Sequence, residues 1–187
     1  DHQLVYVASD MILHIHSDGS HLSRTNASSV VGGLHFLGVR DKPFEINGAI
    51  HPACTQLPFV TGSAAETEYA GTFVNGQYGS WIRHVLLEMG YPQPPTIIVC
   101  DNTTAVGLAN DALKLKRSKF MDMRLHWIRD RVRQNQFNVQ WHPAPLNLAD
   151  FFTKALPVHS HRAVMPFLNR APLKSHSKLA TLNKRTT

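Results

Sequence analysis

The sequence predicts an α/β fold, a mixed five-stranded sheet with helices packed on its faces. Three observations lead there. Three extended segments with turn signals between them precede any long helical pattern, as in an antiparallel meander. The stretch "PPTIIVCDN" is short and continuously apolar, the pattern of a strand buried on both faces. That strand and a later one, "FNVQWH", alternate with helical stretches, so the order reads β-β-β-α-β-α-α-β-α. With 187 residues, 43% of them hydrophobic, the chain can bury one core but not comfortably two.

The elements follow in order. "MILHIHSD" reads as a strand that ends at Asp18. Ser28–Val39, "SSVVGGLHFLGV", reads as the second, with Gly32 and Gly33 allowing a bulge or a close approach. In "KPFEINGAIHPA" the Asn47-Gly48 pair favours a tight turn between extended pieces. A long helix is expected from about Ala64 to Met89, with Ser63 as N-cap and Glu66 completing a capping box. Tyr78, Trp81, Ile82, Val85, Leu86 and Met89 form its apolar stripe, and Gly90 and Pro92 close it. "NTTAVGLAND" predicts a helix after the fourth strand. "SKFMDMRLHWIRDRVRQNQ" predicts a basic one, with the ridge Met121, Leu125, Ile128 and Val132 turned inward. "NLADFFTKAL" reads as a short helix with Asp150 near its start. The domain is expected to span residues 1–157. Residues 158–187 lack periodicity and read as a basic, mobile C-terminal tail.

Charge divides the chain. Residues 1–110 hold 4 Lys and Arg against 9 Asp and Glu, a net of −5, whereas residues 111–187 hold 15 against 4, a net of +11. Such a basic half points to a polyanion partner. No run of 18 apolar residues is present, so no membrane span is expected. The first ten residues lack the basic start and apolar core of a secretory signal, and the missing initiator Met suggests a piece of something longer. Cys54 and Cys100 form no CxxC motif, so a reducing compartment is expected, with no disulfide framework and no cysteine zinc site.

Four acids stand out. Asp18 and Asp101 each end an apolar strand, Asp150 opens a late helix, and Glu68 lies in the first turns of the long one. Gathered in one cleft, four carboxylates would need cations to offset their repulsion, and an oxygen-only set suits Mg2+ or Mn2+. Each acid also has a plainer reading: a turn at Asp18-Gly19, a helix cap at Asp101-Asn102, dipole acids at Asp150, Glu66 and Glu68. Glu66 and Glu68 point roughly 160° apart on a helix, so only one can face a cleft. Glu68 lies roughly 70° from the centre of the apolar stripe and Glu66 about 130°. Glu68 is therefore the candidate, and Glu66 the capping acid.

These pieces resemble a family. "HSDGS", "GSAAETEYAG", "VCDNTTAVGLAND", "KRSKFMDMRLHWIRDRV" and "NLADFFTKALP" run in the order found in the ribonuclease H domain of copia-type LTR retrotransposon pol polyproteins, and cover roughly residues 10–157. The last motif is the most specific of them. The resemblance implies a ribonuclease H-like fold and endonucleolytic hydrolysis of the RNA strand of RNA/DNA hybrids with two Mg2+ ions, Mn2+ being a possible substitute. It implies Asp18, Glu68, Asp101 and Asp150 as catalytic metal ligands, and the reverse transcriptase portion of the same polyprotein as partner. A cytoplasmic location within virus-like particles follows from it too. Lys114, Lys116, Arg117, Lys119, Arg124, Arg131 and Arg133 would contact phosphates, and Gly19, Ser20 and Asn102 would contact the substrate near the acids. His142 is either a proton-transfer assistant or a surface histidine after a strand, the latter being favoured.

Other readings are weaker. His14, His16 and His21 suggest zinc, but no good third and fourth ligand lies nearby in sequence. "GSAAE" opens a helix and lacks a serine-nucleophile elbow. A non-catalytic nucleic-acid-binding or structural module of a decayed or domesticated element is the alternative of a different class. An integrase-like enzyme is disfavoured by the final motif.

Overall fold

The computed structural model describes residues 4–113 and 122–169. Strands β1 (Ile12–Ser20), β2 (Val30–Gly38) and β3 (His51–Gln56) form the antiparallel meander. Strands β4 (Thr96–Cys100) and β5 (Phe137–Trp141) add in parallel, and the sheet order is β3-β2-β1-β4-β5. Among the described residues five α-helices accompany it: α1 (Ala64–Glu88), α2 (Thr103–Ala109), α3 (Asp122–Arg133), α4 (Asp150–Thr153) and α5 (Val158–Asn169). None is long and apolar enough to cross a membrane.

The strand at the centre, β1, divides its side chains between two layers. Leu13 and Ile15 join Tyr69, Ile98, Ile128 and Phe137 in the core beneath α1 and α3. On the opposite face, Leu34 and Phe36 of β2 meet Ile46, Leu148 and Leu168. There His14 and His16 pack against Phe36. Both histidines are buried, and burial lowers both pKa values, His16 to about 4. His16 Nε2 lies 2.7 Å from the Pro43 carbonyl and its Nδ1 accepts from the Leu148 N–H. Those two bonds assign the proton of a neutral ring to Nε2.

Several expectations need correction. β1 does not end at Asp18 but runs to Ser20, with Asp18 paired opposite Gly32, because the meander partner continues alongside it. Lys42–Ile50 is a loop, and its Asn47-Gly48 step turns with φ +69° at Gly48.

The apolar stripe expected on α1 is not its buried face. Trp81, Val85 and Met89 are exposed, Tyr78 and Ile82 half-buried, and only Leu86 is buried. The sheet is met by Glu68, Thr72, Asn75, Gly76, Gly79 and Leu86. The cause is close approach: a Cβ on Gly79 would lie 2.6 Å from Ile15 Cδ1, and one on Gly71 would lie 3.0 Å from the Asp18 carbonyl oxygen. Small residues permit that contact, and hydropathy does not register them.

The chain after Pro157 also differs from expectation. It is helical from Val158 to Asn169, and Val164, Met165 and Leu168 pack onto the second core. The Asn169 carbonyl accepts from Val5 N–H, tying the two ends of the described chain. On the basic ridge, Ile128 is buried and Val132 half-buried. Met121 and the basic residues Lys114, Lys116, Arg117 and Lys119 lie outside the described residues.

Candidate active site

The four acids arrive from four elements. Asp18 comes from the central strand, Glu68 from the second turn of α1, Asp101 from the residue after β4, and Asp150 from the start of α4. Ser63 caps α1 by accepting from the Glu66 N–H, and Glu66 reaches back to accept from Gly62 N–H at 2.7 Å. Glu66 is thus a capping acid, and Glu68 faces the sheet. The stripe from Tyr78 to Met89, used to separate the two acids, is not the face that α1 buries. Glu68 lies within roughly 20° of the centre of the face that α1 buries.

One oxygen each from Asp18, Asp101 and Asp150 lies within 4.8 Å of the others. Glu68, Cys100 and Asp101 form a second such group. Asp18 is the hub: it is fully buried, its charge acts on Glu68, Asp101 and Asp150, and its Oδ2 accepts from Thr153 Oγ1. Burial and the Asp18 and Asp101 charges push the Glu68 carboxyl well above its usual range. Burial and Asp18 do the same to Asp150, and burial with Asp18 to Asp101. The cause is common: acids brought together away from water disfavour their own ionisation.

Asp18 Oδ1 and Asp101 Oδ1 are buried and have no hydrogen-bond donor among the described residues. Unsatisfied buried carboxylate oxygens are costly. The oxygen-only group of Asp18, Asp101 and Asp150, with its orphaned atoms, fits a hard divalent cation such as Mg2+ or Mn2+. The buried Cys100 thiol, raised by burial and by Glu68, approaches Glu68 Oε2 at 3.9 Å as a weak donor.

The remaining site candidates are placed as follows. Gly19 packs against α1, where a Cβ would meet the Thr67 backbone at 2.7 Å, and its N–H serves the Glu68 carboxylate. Ser20 ends β1, half-buried. Asn102 is the N-cap of α2, its Oδ1 accepting from Ala105 N–H at 3.0 Å. The Arg124 guanidinium sits 4.1 Å above the Phe59 ring and 5.7 Å from that of Phe73. Arg131 lies over Trp127, and Arg133 pairs with Asp111. His142 is not in either group of ligand atoms; it stands edge-on to Phe44 at 4.6 Å, and Phe44 in turn meets His16. His21 bonds to Thr61 and Thr67, away from His14 and His16.

Sequence reasoning missed two residues of the site and one that supports it. Lys154 Nζ lies 2.6 Å from Asp150 Oδ1 and 4.0 Å from Asp18 Oδ1. Thr153, its neighbour, donates to Asp18. Asn147, buried, donates to the Ser17 carbonyl at 2.8 Å and accepts from Ala149 N–H, so it fixes the approach of Asp150. The one available signal was spacing: Lys154 stands four residues after Asp150.

No family model matches the sequence. Over 95 residues the chain is 32% identical to the retrovirus-related Pol polyprotein from transposon TNT 1-94 of Nicotiana tabacum; the match takes in 51% of the chain and 7% of that polyprotein. Among solved structures, LC11-RNase H1 isolated from compost superposes with a TM-score of 0.55 at 14% identity, over 76% of this chain and 92% of that one. The N-terminal RNase H domain of a Mycobacterium tuberculosis protein gives 0.52 at 17% identity, over 75% and 94%. LC11-RNase H1 in complex with an RNA/DNA hybrid gives 0.51 at 14% identity, over 75% and 92%. The sheet order and these superpositions establish a ribonuclease H-like fold.

Proposed function

We propose that this domain hydrolyses the RNA strand of RNA/DNA hybrids endonucleolytically, as the ribonuclease H domain of a copia-type retrotransposon pol polyprotein. The observation that carries the reading is the meeting of Asp18, Glu68, Asp101 and Asp150 at one end of β1 and β4, with two buried carboxylate oxygens that lack donors among the described residues. The tobacco transposon polyprotein and the hybrid-bound structural neighbour support it.

The four carboxylates would hold two divalent ions, Mg2+ or Mn2+. When bound, such ions lower the pKa of a coordinated water and stabilise the leaving 3′ oxygen of a phosphodiester. The chain's own residues prepare that chemistry. Asp18, central to the cluster, is oriented by the Thr153 hydroxyl; Asp150 is oriented by Lys154. Protons held among the acids must leave as cations enter, so ion affinity rises with pH. Lys116, Arg117, Lys119 and Arg124 supply sequence-independent phosphate binding, and Gly19, Ser20 and Asn102 line the approach of the RNA strand. The preceding reverse transcriptase portion of the polyprotein is the partner that presents the hybrid.

A labelled RNA/DNA hybrid with Mg2+, tested beside Asp101→Asn, decides the matter. The parent cuts only the RNA strand, and the variant is slower by more than about a hundredfold, as expected for loss of a ligand. Hybrid binding without cleavage by the parent would replace the enzyme reading with that of a binding module. Equal cleavage by both proteins would remove Asp101 from the site.

A further inference from the structure

We propose that Lys154 is a cation built into the acidic cluster: a positioning residue that holds Asp150 against Asp18 and competes with a divalent ion for the Asp150 carboxylate. The inference rests on the reading of the four acids as an ion site, and it concerns a residue outside that ligand set.

The geometry is local and specific. Lys154 leaves α4 with extended backbone while its N–H still donates to the Asp150 carbonyl at 3.1 Å. That turn folds the side chain back over Asp150, placing Nζ 2.6 Å from Asp150 Oδ1 and 4.0 Å from Asp18 Oδ1. Consecutive residues thus address both oxygens of Asp18, Thr153 at Oδ2 and Lys154 at Oδ1. The ammonium therefore stands on the edge of the Asp18, Asp101 and Asp150 oxygen group.

An ion that uses Asp150 Oδ1 must share that oxygen with an ammonium or displace it. Displacement is feasible, because the side chain is 44% exposed and rides on a flexible four-carbon stem. Among the described residues no comparable cation reaches Glu68, whose neighbours are Asp18, Asp101, Cys100 and the Gly19 N–H. The two ion positions are therefore unequal. The one built on Glu68 and Asp101 fills first. The one using Asp150 fills later, and Lys154 sets how much later. Removing the ammonium also removes repulsion toward the incoming ion, which at this separation and exposure is worth roughly tenfold in affinity.

The test is Mn2+ titration of the whole chain by calorimetry and electron paramagnetic resonance, with Lys154→Met, Lys154→Gln and Lys154→Arg beside the parent. The expected result is a weaker second site in the parent, tightened roughly tenfold in the Met and Gln variants and close to the parent in the Arg variant. The Met and Gln variants should melt below the parent in EDTA, since the carboxylates lose a neighbouring cation, yet gain more on Mn2+ addition. Unchanged or weaker Mn2+ binding by a folded Met or Gln variant overturns the inference. So does a loss of hybrid affinity with unaltered ion binding, which would make Lys154 a phosphate contact. A parent that neither binds Mn2+ nor cuts hybrid sinks the reading of the whole site. A parent that does both, with variants unchanged, sinks only the role of Lys154.

Discussion

The two faces of the sheet hold their acids by different physics. On the α1 face, Glu68 rides a helix of 25 residues pressed so close to β1 that glycines are required where they touch. On the opposite face, Asp150 rides a helix of four residues with no side-chain cap. Such a helix has little stability of its own. Its place is set by polar bonds to the sheet: Asn147 to the Ser17 carbonyl, Leu148 N–H to His16, Thr153 to Asp18. Close packing spreads a constraint over many contacts, whereas a few hydrogen bonds concentrate it. Damage to the first face should therefore appear as lost stability, and damage to the second as lost geometry.

The packed face can be broken at Gly19. A Cβ there meets the Thr67 carbonyl at 2.7 Å and the Glu68 nitrogen at 2.8 Å, all main-chain atoms that cannot rotate aside. Gly19→Ala should destabilise the protein by about 3 kcal/mol, at the upper end of overpacking costs, and shift Glu68 with it. Urea denaturation gives the first quantity and hybrid cleavage the second. A variant as stable as the parent would mean that α1 stands further from β1 than described.

The latched face can be broken at Asn147. Asn147→Ala removes a donor and an acceptor from a residue that is only 2% exposed, and should cost about 2 kcal/mol. The loss of cleavage should nonetheless match that of Gly19→Ala, because the bonds it removes serve the placement of Asp150. If activity falls only in proportion to stability, the latches are not what positions the acid.

The same contrast governs what could be read in the sequence. Runs such as "TIIVC" declare themselves, because burial on both faces forces continuous apolarity. Asp18, Asp101 and Asp150 were legible as acids at element ends, and Ser63 and Glu66 as a cap. The buried face of α1 was not legible, since Thr72, Asn75, Gly76 and Gly79 are selected for size rather than hydropathy. Helix α5 was hidden by its internal Pro166 and its histidines, although Val164, Met165 and Leu168 do form an apolar ridge. Lys154 was hidden because its role depends on a turn of backbone that brings it back over Asp150.

The smallest expected effect is also the one that sets acids against histidines. Asp150 and Glu68 are raised to about 7 and about 9, so the folded chain binds more protons than the unfolded chain above pH 4 to 5. Their stabilisation is complete below that range and is lost as pH rises through 7 and then 9. His16 and His35, lowered to about 4 by burial, act in the opposite sense: their contribution is present above pH 6.5 and is lost as pH falls toward 4. Between about pH 5 and 6.5 the two slopes oppose each other, and above 6.5 the acids dominate, with the buried Cys100 thiol adding in the same sense toward pH 9. In EDTA the melting temperature should therefore hardly change from pH 5 to 6.5 and then fall by about 5 °C by pH 9. Saturating Mg2+ should abolish the fall, because cations replace the departing protons. Glu68→Gln should flatten the alkaline limb without metal and leave the acid side as it was. An alkaline limb that survives both that substitution and Asp150→Asn would place its origin outside the cluster, and the histidine side would then be the better-determined half of the molecule.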